Sequence, residues 1–260
     1  MRTRTRLRKK AKSKMYADFA AVYDRLMADV DYDTWAAHYR QLLSQNGVKD
    51  NALVLEAACG TGNLTIRLAR DFRVLPSDMS EEMLTIAAAK ARANGLSLTF
   101  LKQDMRALKA HRLADAIVCG CDGVNYLLDD HSLKAFFSSA HAALKPGGVL
   151  AFDVSSYDKL SRVLGNAPQI LREEDICYIW ENAFDSKTNL LHLSLSIFVK
   201  DKAVRYQRIE EEQTQRAYTQ DVLQAALTEA GFGNIQCFGN FTLSKPAKNA
   251  QRLHFTAIKE

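Results

Sequence analysis

Beyond Met15 the apolar positions fall at helical spacing, with Phe19, Val22, Tyr23 and Leu26 on one stripe. A second helix is predicted from near Tyr32 or Thr34 to Gln45, where Gly47 stops it. Short apolar runs then alternate with amphipathic ones. The runs at 52–57, 72–78, 96–104, 114–122 and 148–154 read as five strands. Between them lie predicted helices at 61–71, 80–95 and 129–148. Ser80 is the N-cap of the second, Gly95 closes it, and Lys-Pro-Gly-Gly ends the third.

Strands this apolar, linked by helices, call for a parallel sheet covered on both faces, because parallel neighbours need a crossover. The expected fold is α/β and doubly wound. After about residue 165 the rhythm changes to three longer runs, 175–184, 190–199 and 203–218, joined by turn-like segments; these read as antiparallel strands. A helix at 219–231 and strands near 234–243 and 252–258 complete the chain. The implied organisation is a basic tail at 1–14, a core made of 15–165 and 217–260 with an N-terminal helical lid, and an antiparallel β insertion at 166–216.

The formal charge of +5 belongs to the tail. Residues 1–14 carry eight Lys or Arg and no acid, and without them 27 basic face 30 acidic residues. A solvated extension, a contact to RNA or a membrane surface, and an upstream start or cloning artefact ahead of Met15 all remain open for it. No run approaches the roughly 20 apolar residues of a membrane helix, and no apolar segment follows the basic residues as in a signal peptide; a cytoplasmic protein without membrane partners is expected. The five cysteines are an odd number and sit mostly in apolar runs, which suits packed thiols, and Cys119-x-Cys121 lacks the spacing of a zinc site. No metal is expected.

The chemistry concentrates where the first strand ends in Glu56 and runs through Ala58 and Cys59 into Gly60-x-Gly62 at a helix mouth. That is the ligand crevice of such a fold. A dinucleotide fingerprint would need glycine where Thr65 stands, and a diphosphate would be repelled by Glu56. An acceptor-only carboxylate suits a cationic group instead, such as the amino end of an amino acid carried by an uncharged nucleoside; S-adenosylmethionine is one such ligand. Asp78, ending the second strand, can accept from two ribose hydroxyls. Asp104 can accept an adenine amino group with Met105 against the ring.

Taken in order, Glu56-x-x-Cys59-Gly60-Thr61-Gly62, Pro76-x-Asp78-Met79-Ser80-Glu81-Glu82, Gln103-Asp104-Met105 and Leu144-Lys-Pro-Gly-Gly resemble the class I S-adenosylmethionine-dependent methyltransferases over residues 50–155. The flanks are similar to a bacterial small-molecule subfamily with an antiparallel lobe over the acceptor. The resemblance implies a seven-stranded Rossmann-like sheet, with Glu56, Gly60 and Gly62 at the methionine end, Asp78 and Met79 at the ribose and adenine, and Asp104 with Met105 at the base. It places Cys121, Asp122, Asn125 and Tyr126 along the floor. Ala58 departs from the family, where glycine is common, and so does Pro76.

Methyl transfer from a sulfonium is an in-line displacement that needs alignment more than a nucleophile, and a base only for a protonated acceptor. Candidates for that base are Asp122, Tyr126 and Tyr23. Tyr16 and Tyr32 come within reach if the N-terminal segment folds over the mouth, and Tyr16 and Tyr23 would then border the cofactor. Trp35 and Trp180 are candidate pocket walls. Arg208 or Arg216 is a candidate clamp for an acidic acceptor, although the run from 208 to 216 reads first as a solvated strand face. Expected is methyl transfer to a small-molecule nitrogen or oxygen; an RNA-modifying enzyme using the basic tail, or a non-catalytic adenosyl-cofactor-binding protein, are the alternatives. Oligomeric state is left open.

Overall fold

The computed structural model describes residues 19–20, 22–201 and 205–260; the basic tail and Tyr16 lie outside them. Residues 22–26 are helical. In chain order the core elements are α1 (Tyr32–Gln45), β1 (Leu53–Ala57), α2 (Thr65–Leu68), β2 (Arg73–Asp78), α3 (Glu81–Ala93), β3 (Leu101–Lys102), β4 (Ala114–Cys119), α4 (Asp130–Ala143) and β5 (Leu144–Ser155). Then come β6 (Gln169–Arg172), β7 (Ile176–Asp185), β8 (Leu190–Lys200), β9 (Tyr206–Arg216), α5 (Gln220–Glu229), β10 (Phe232–Gly239) and β11 (Arg252–Lys259).

Seven strands form one sheet in the order β10-β11-β5-β4-β1-β2-β3. β1 to β5 are parallel and β11 runs antiparallel to both β5 and β10. The winding reverses between β1 and β4, so the crevice opens at their carboxyl ends. β6 to β9 make a separate antiparallel sheet. The fold is the doubly wound α/β sheet with an antiparallel lobe that the alternation of the chain predicts.

Several elements differ in extent. The run at 96–104 pairs only through Leu101 and Lys102, at the edge of the sheet beside Ser77 and Asp78 of β2. The helix expected at 61–71 is a single turn. α4 stops at Ala143, and Lys-Pro-Gly-Gly joins β5 rather than capping the helix. β6, which pairs with β7, was not anticipated.

Each face of the large sheet is dry. α4 brings Leu133, Phe136, Phe137 and Ala140 onto one side, where Phe152 and Phe255 stack at 5.0 Å. α1 brings Trp35, Tyr39, Leu42 and Leu43 onto the other. The lobe keeps its own core, and Phe19 and Val22 pack into it with Leu160, Ile176, Leu191 and Ile197. The N-terminal segment therefore packs with the lobe. Burying one such leucine or phenylalanine contributes about 1.5–3 kcal/mol.

A buried ion cluster ties the elements together behind the crevice. The Arg252 guanidinium, at the start of β11, pairs with both Asp122 and Asp153 and sits 4.6 Å over the Trp35 ring. Tyr39 donates its hydroxyl to Asp153 Oδ1 at 2.7 Å, and the Asp122 backbone N–H donates to Asp153 Oδ2 at 3.2 Å. Nearby, the His38 and His254 rings meet edge to face at 4.3 Å. Burial pushes His254 down to about 2, so the pair stays neutral beside the arginine. No helix among the described residues is long and apolar enough to cross a membrane.

Replacing Arg252 with Met removes the cation and leaves two buried carboxylates facing each other. Unfolding in urea at pH 8 is expected to show a loss of about 3–5 kcal/mol. The loss should shrink toward pH 5, where protonation discharges the carboxylates, and most of it should return in the triple variant Arg252→Met, Asp122→Asn, Asp153→Asn. A loss that ignores pH would mean that packing on Trp35, not charge, is what Arg252 supplies.

Candidate active site

The crevice is a cavity of about 680 Å3 between the carboxyl ends of the parallel strands and the lobe. Most of the predicted cofactor residues border it: Glu56, Ala58, Cys59, Gly60, Asp78, Met79, Asp104, Met105, Cys121 and Tyr23. Tyr32 and Tyr126 border it as well. Gly62 does not line it. Its backbone is left-handed, φ +76°, and a Cβ there would press to 3.0 Å on Ala87 of α3, so this glycine serves a tight turn and close helix packing.

Glu56, next to last in β1, is 1% exposed, and its Oε2 has no hydrogen-bond partner among the described residues. Burial pushes its carboxyl up to about 8, the hydroxyl of Thr65 beside it working the other way and the like charge of Asp78 adding to the rise. Asp78 accepts the Gly60 N–H at 2.8 Å and the Ser80 N–H at 2.9 Å, which fixes its carboxylate across the glycine turn. Burial raises its pKa as well. An orphaned buried carboxylate oxygen at the end of β1 is what the ammonium of a methionine moiety requires. Asp104 is partly engaged: it binds the Arg106 side chain and accepts the Arg106 N–H, leaving fewer lone pairs for an adenine than expected.

Ala58, Cys121 and Asp122 all have positive φ, at 55°, 55° and 66°. Non-glycine residues held there cost roughly 1–3 kcal/mol each, and such strain gathers at functional sites. Ala58 thus keeps the glycine-like conformation of its position.

The expected bases are corrected by their surroundings. Asp122 does not line the cavity: its carboxylate is on Arg252, and although burial works to raise its pKa, the charges of Arg252 and Lys159 hold it below the usual range. Burial raises Tyr23 far above a phenol's ordinary value and Tyr32 to about 12, so both are hydrogen-bond donors at neutral pH. Tyr126 donates to Gln213 Oε1 of β9 at 2.7 Å. Trp35 is core under Arg252, and neither it nor Trp180 lines the cavity. Arg208 pairs with Glu210 and Arg216 with Asp130, so neither clamps an acidic acceptor. Asn125 instead joins strands, donating to the carbonyls of Ser155 and Arg216.

Two residues escaped sequence reasoning. Asp24 accepts from Thr61 Oγ1 at 2.7 Å and Asn63 Nδ2 at 2.9 Å and pairs with Lys90 at 2.7 Å, fastening the N-terminal segment to the glycine turn. Glu211 on β9 is 4% exposed yet borders the cavity. Burial pushes its carboxyl up to about 7. The alternation Ile209, Glu211, Gln213, Gln215 within the charged run was its only sequence signal.

A doubly wound sheet with this acid and glycine turn at its switch point defines a nucleoside-binding transferase, and the family model described as "Methyltransferase domain" matches residues 54–148. The chain belongs to the S-adenosylmethionine-dependent methyltransferases. It is 35% identical to a protein of Geobacillus sp. (strain WCH70) assigned as a methyltransferase, over 94% of this chain and 99% of that one. YqeM of Bacillus subtilis (strain 168), assigned likewise, is 35% identical over 94% and 97%. The crystal structure of a S-adenosylmethionine-dependent methyltransferase from Clostridium acetobutylicum superimposes with a TM-score of 0.85 at 35% identity, covering 94% of this chain and 98% of that one.

Glu56 sets a pH dependence on the cofactor-free protein. Its carboxyl titrates near 8 folded against 4.5 unfolded, so its stabilising contribution is complete below pH 4.5 and is lost as pH rises to 8. Glu56→Gln stays neutral throughout. Its stability relative to the parent is expected to grow by about 1.4 kcal/mol per pH unit across that window, read by denaturant unfolding at four pH values. A constant difference would show that the carboxylate is solvated.

Proposed function

We propose that this enzyme methylates a nitrogen or oxygen of a small molecule enclosed between the parallel sheet and the antiparallel lobe. The observation that carries the reading is buried Glu56, whose Oε2 has no hydrogen-bond partner among the described residues and which borders a cavity roofed by β9 and the helical segment at 22–26.

Glu56 takes the amino group of S-adenosylmethionine, Asp78 the ribose hydroxyls, and Met79, Asp104 and Met105 the base. The cofactor supplies a methyl already activated on a sulfonium. What remains for the chain is alignment and exclusion of water. Cys121 and Gly123, on the strained turn after β4, form the floor under that methyl, and Tyr23, Tyr32 and Tyr126 wall it with neutral phenols. The lobe limits the acceptor to a compact molecule. The charge of the lining argues against a nucleic acid: Glu56, Asp78, Asp104, Asp129, Glu211 and Glu212 border the cavity, and its sole described basic residue, Arg106, is bonded to Asp104. Phosphates would meet repulsion there.

Calorimetric titration with S-adenosylhomocysteine tests this. Micromolar binding is expected, lost by at least about tenfold in Asp78→Ala, with no binding of NADH. Glu56 must ionise to receive the ammonium, so binding below pH 8 should release protons, and affinity should rise by up to about tenfold per pH unit as pH approaches 8. Glu56→Gln should flatten that rise. Retention of the pH dependence in Glu56→Gln would remove Glu56 from its role, and absence of binding in the parent would end the methyltransferase reading of this cavity.

A further inference from the structure

Among the described residues, three carboxylate groupings near the crevice differ in how their charge is met. Asp122 and Asp153 share Arg252. Glu56 has an orphaned oxygen that the cofactor reading uses. Glu211 is the third. It sits on the inward row of β9, opposite Leu195 of β8, with Gln213 and Gln215 following on the same face. Among the described residues no Lys, Arg or His lies within ion-pairing distance of it. Of the polar groups around it, Glu212 on its own strand disfavours its negative charge and the Gln213 side chain favours it through a hydrogen bond, while Tyr126, from the turn after β4, is itself kept protonated by Glu211. Tyr126 is in turn bonded to Gln213.

We propose that Glu211, with Gln213 and Tyr126, forms the acceptor subsite and that the acceptor is an amine. This rests on the methyl-transfer reading above and specifies its substrate class. A buried carboxylate with no protein cation is costly unless a ligand brings one, and an ammonium gives it a charge-assisted hydrogen bond about twice as strong as a neutral one. A carboxylate or phosphate acceptor would meet Glu211 and Glu212 with no free cation among the described lining residues. A neutral hydroxyl would gain no charge assistance.

Glu211 also solves a chemical problem. An ammonium nitrogen has no free electron pair for attack. When one N–H proton passes to a Glu211 oxygen, an O–H bond forms, the N–H bond breaks, and nitrogen keeps the pair it needs. The proton leaves to water as the product departs.

The test uses the full chain saturated with S-adenosylhomocysteine. Two triads of probes are titrated: phenethylamine, 2-phenylethanol and phenylacetate; glucosamine, glucose and glucuronate. The readouts are probe affinity by NMR line broadening and the thermal midpoint. At least one amine is expected to bind at least about tenfold more tightly than its hydroxyl and acid counterparts, with the midpoint rising accordingly. In Glu211→Gln the amine preference should disappear while S-adenosylhomocysteine affinity stays within about twofold. Amines that bind no better than hydroxyls or acids, or that fail to bind, overturn the proposal in the unaltered protein, whatever the variant's stability. Equal amine binding by Glu211→Gln removes Glu211 from it. If S-adenosylhomocysteine itself does not bind, the underlying reading fails first, and the two failures are distinct.

Discussion

The geometry of the crevice depends on one guanidinium held out of water. Arg252 begins the last strand, yet the carboxylates that it neutralises belong to β5 and to the turn after β4. Charges this deeply buried persist only when paired and hydrogen-bonded, so Tyr39 and the Asp122 N–H complete the arrangement around Asp153. Pairing fixes where the Cys121–Asp122 turn lies. Both residues of that turn are left-handed without being glycine, a conformation that the chain would abandon if the surroundings did not over-determine it. The floor of the cavity is therefore held in place by an ion cluster that never faces the substrate.

The same physics explains why other carboxylates are left incomplete. Satisfying Glu56 from within the protein would stabilise the cofactor-free fold and remove what the ligand is to bind. On the proposed reading of the crevice, the methyl donor would complete it and offset that unfavourable burial. Raised pKa values at Glu56 and Glu211 and a lowered one at Asp122 are three outcomes of one balance between desolvation and a nearby cation. Asp153, fully buried and sharing the same guanidinium with Asp122, still rises to about 6, so the depth of burial counts in that balance as well as the cation.

Much of this was legible in the chain because it is local. Glu56, the glycine turn and Asp78 lie within one β-α-β stretch, and the alternation of apolar strands with helices implies the sheet that brings them together. What escaped detection is non-local or masked. Arg252 and Asp122 are 130 positions apart, and nothing in either neighbourhood marks the other. Asp122 therefore read as a free acid near the sulfonium, when it is spoken for. Glu211 was hidden in a run of mixed charge whose period-two pattern becomes visible only when Ile209 and Gln215 are seen to be buried beside it. The edge strand β3 misled in the opposite direction: its sequence alternates over a long run, but the sheet has a partner for just two of its residues.

The division of labour between core and lobe follows from how each is pinned. Side chains on a strand alternate, so a slip of one residue between β8 and β9 would move Glu211, Gln213 and Gln215 to the opposite face of the strand and put Glu210 and Glu212 on the buried row in their place. That register is set by apolar packing within the lobe, where Ile197 faces Ile209 and Phe19 and Val22 close the cluster. The cofactor end is set independently, by strand ends and the glycine turn of the large sheet. Substitutions on the inward row of β9 can therefore retune which acceptor is read without disturbing Glu56 or Asp78. Because the N-terminal segment joins the lobe's apolar core while Asp24 bonds the glycine turn, the roof is nonetheless fastened directly to the cofactor end. Acceptor and cofactor sites are separable in chemistry but share one closure.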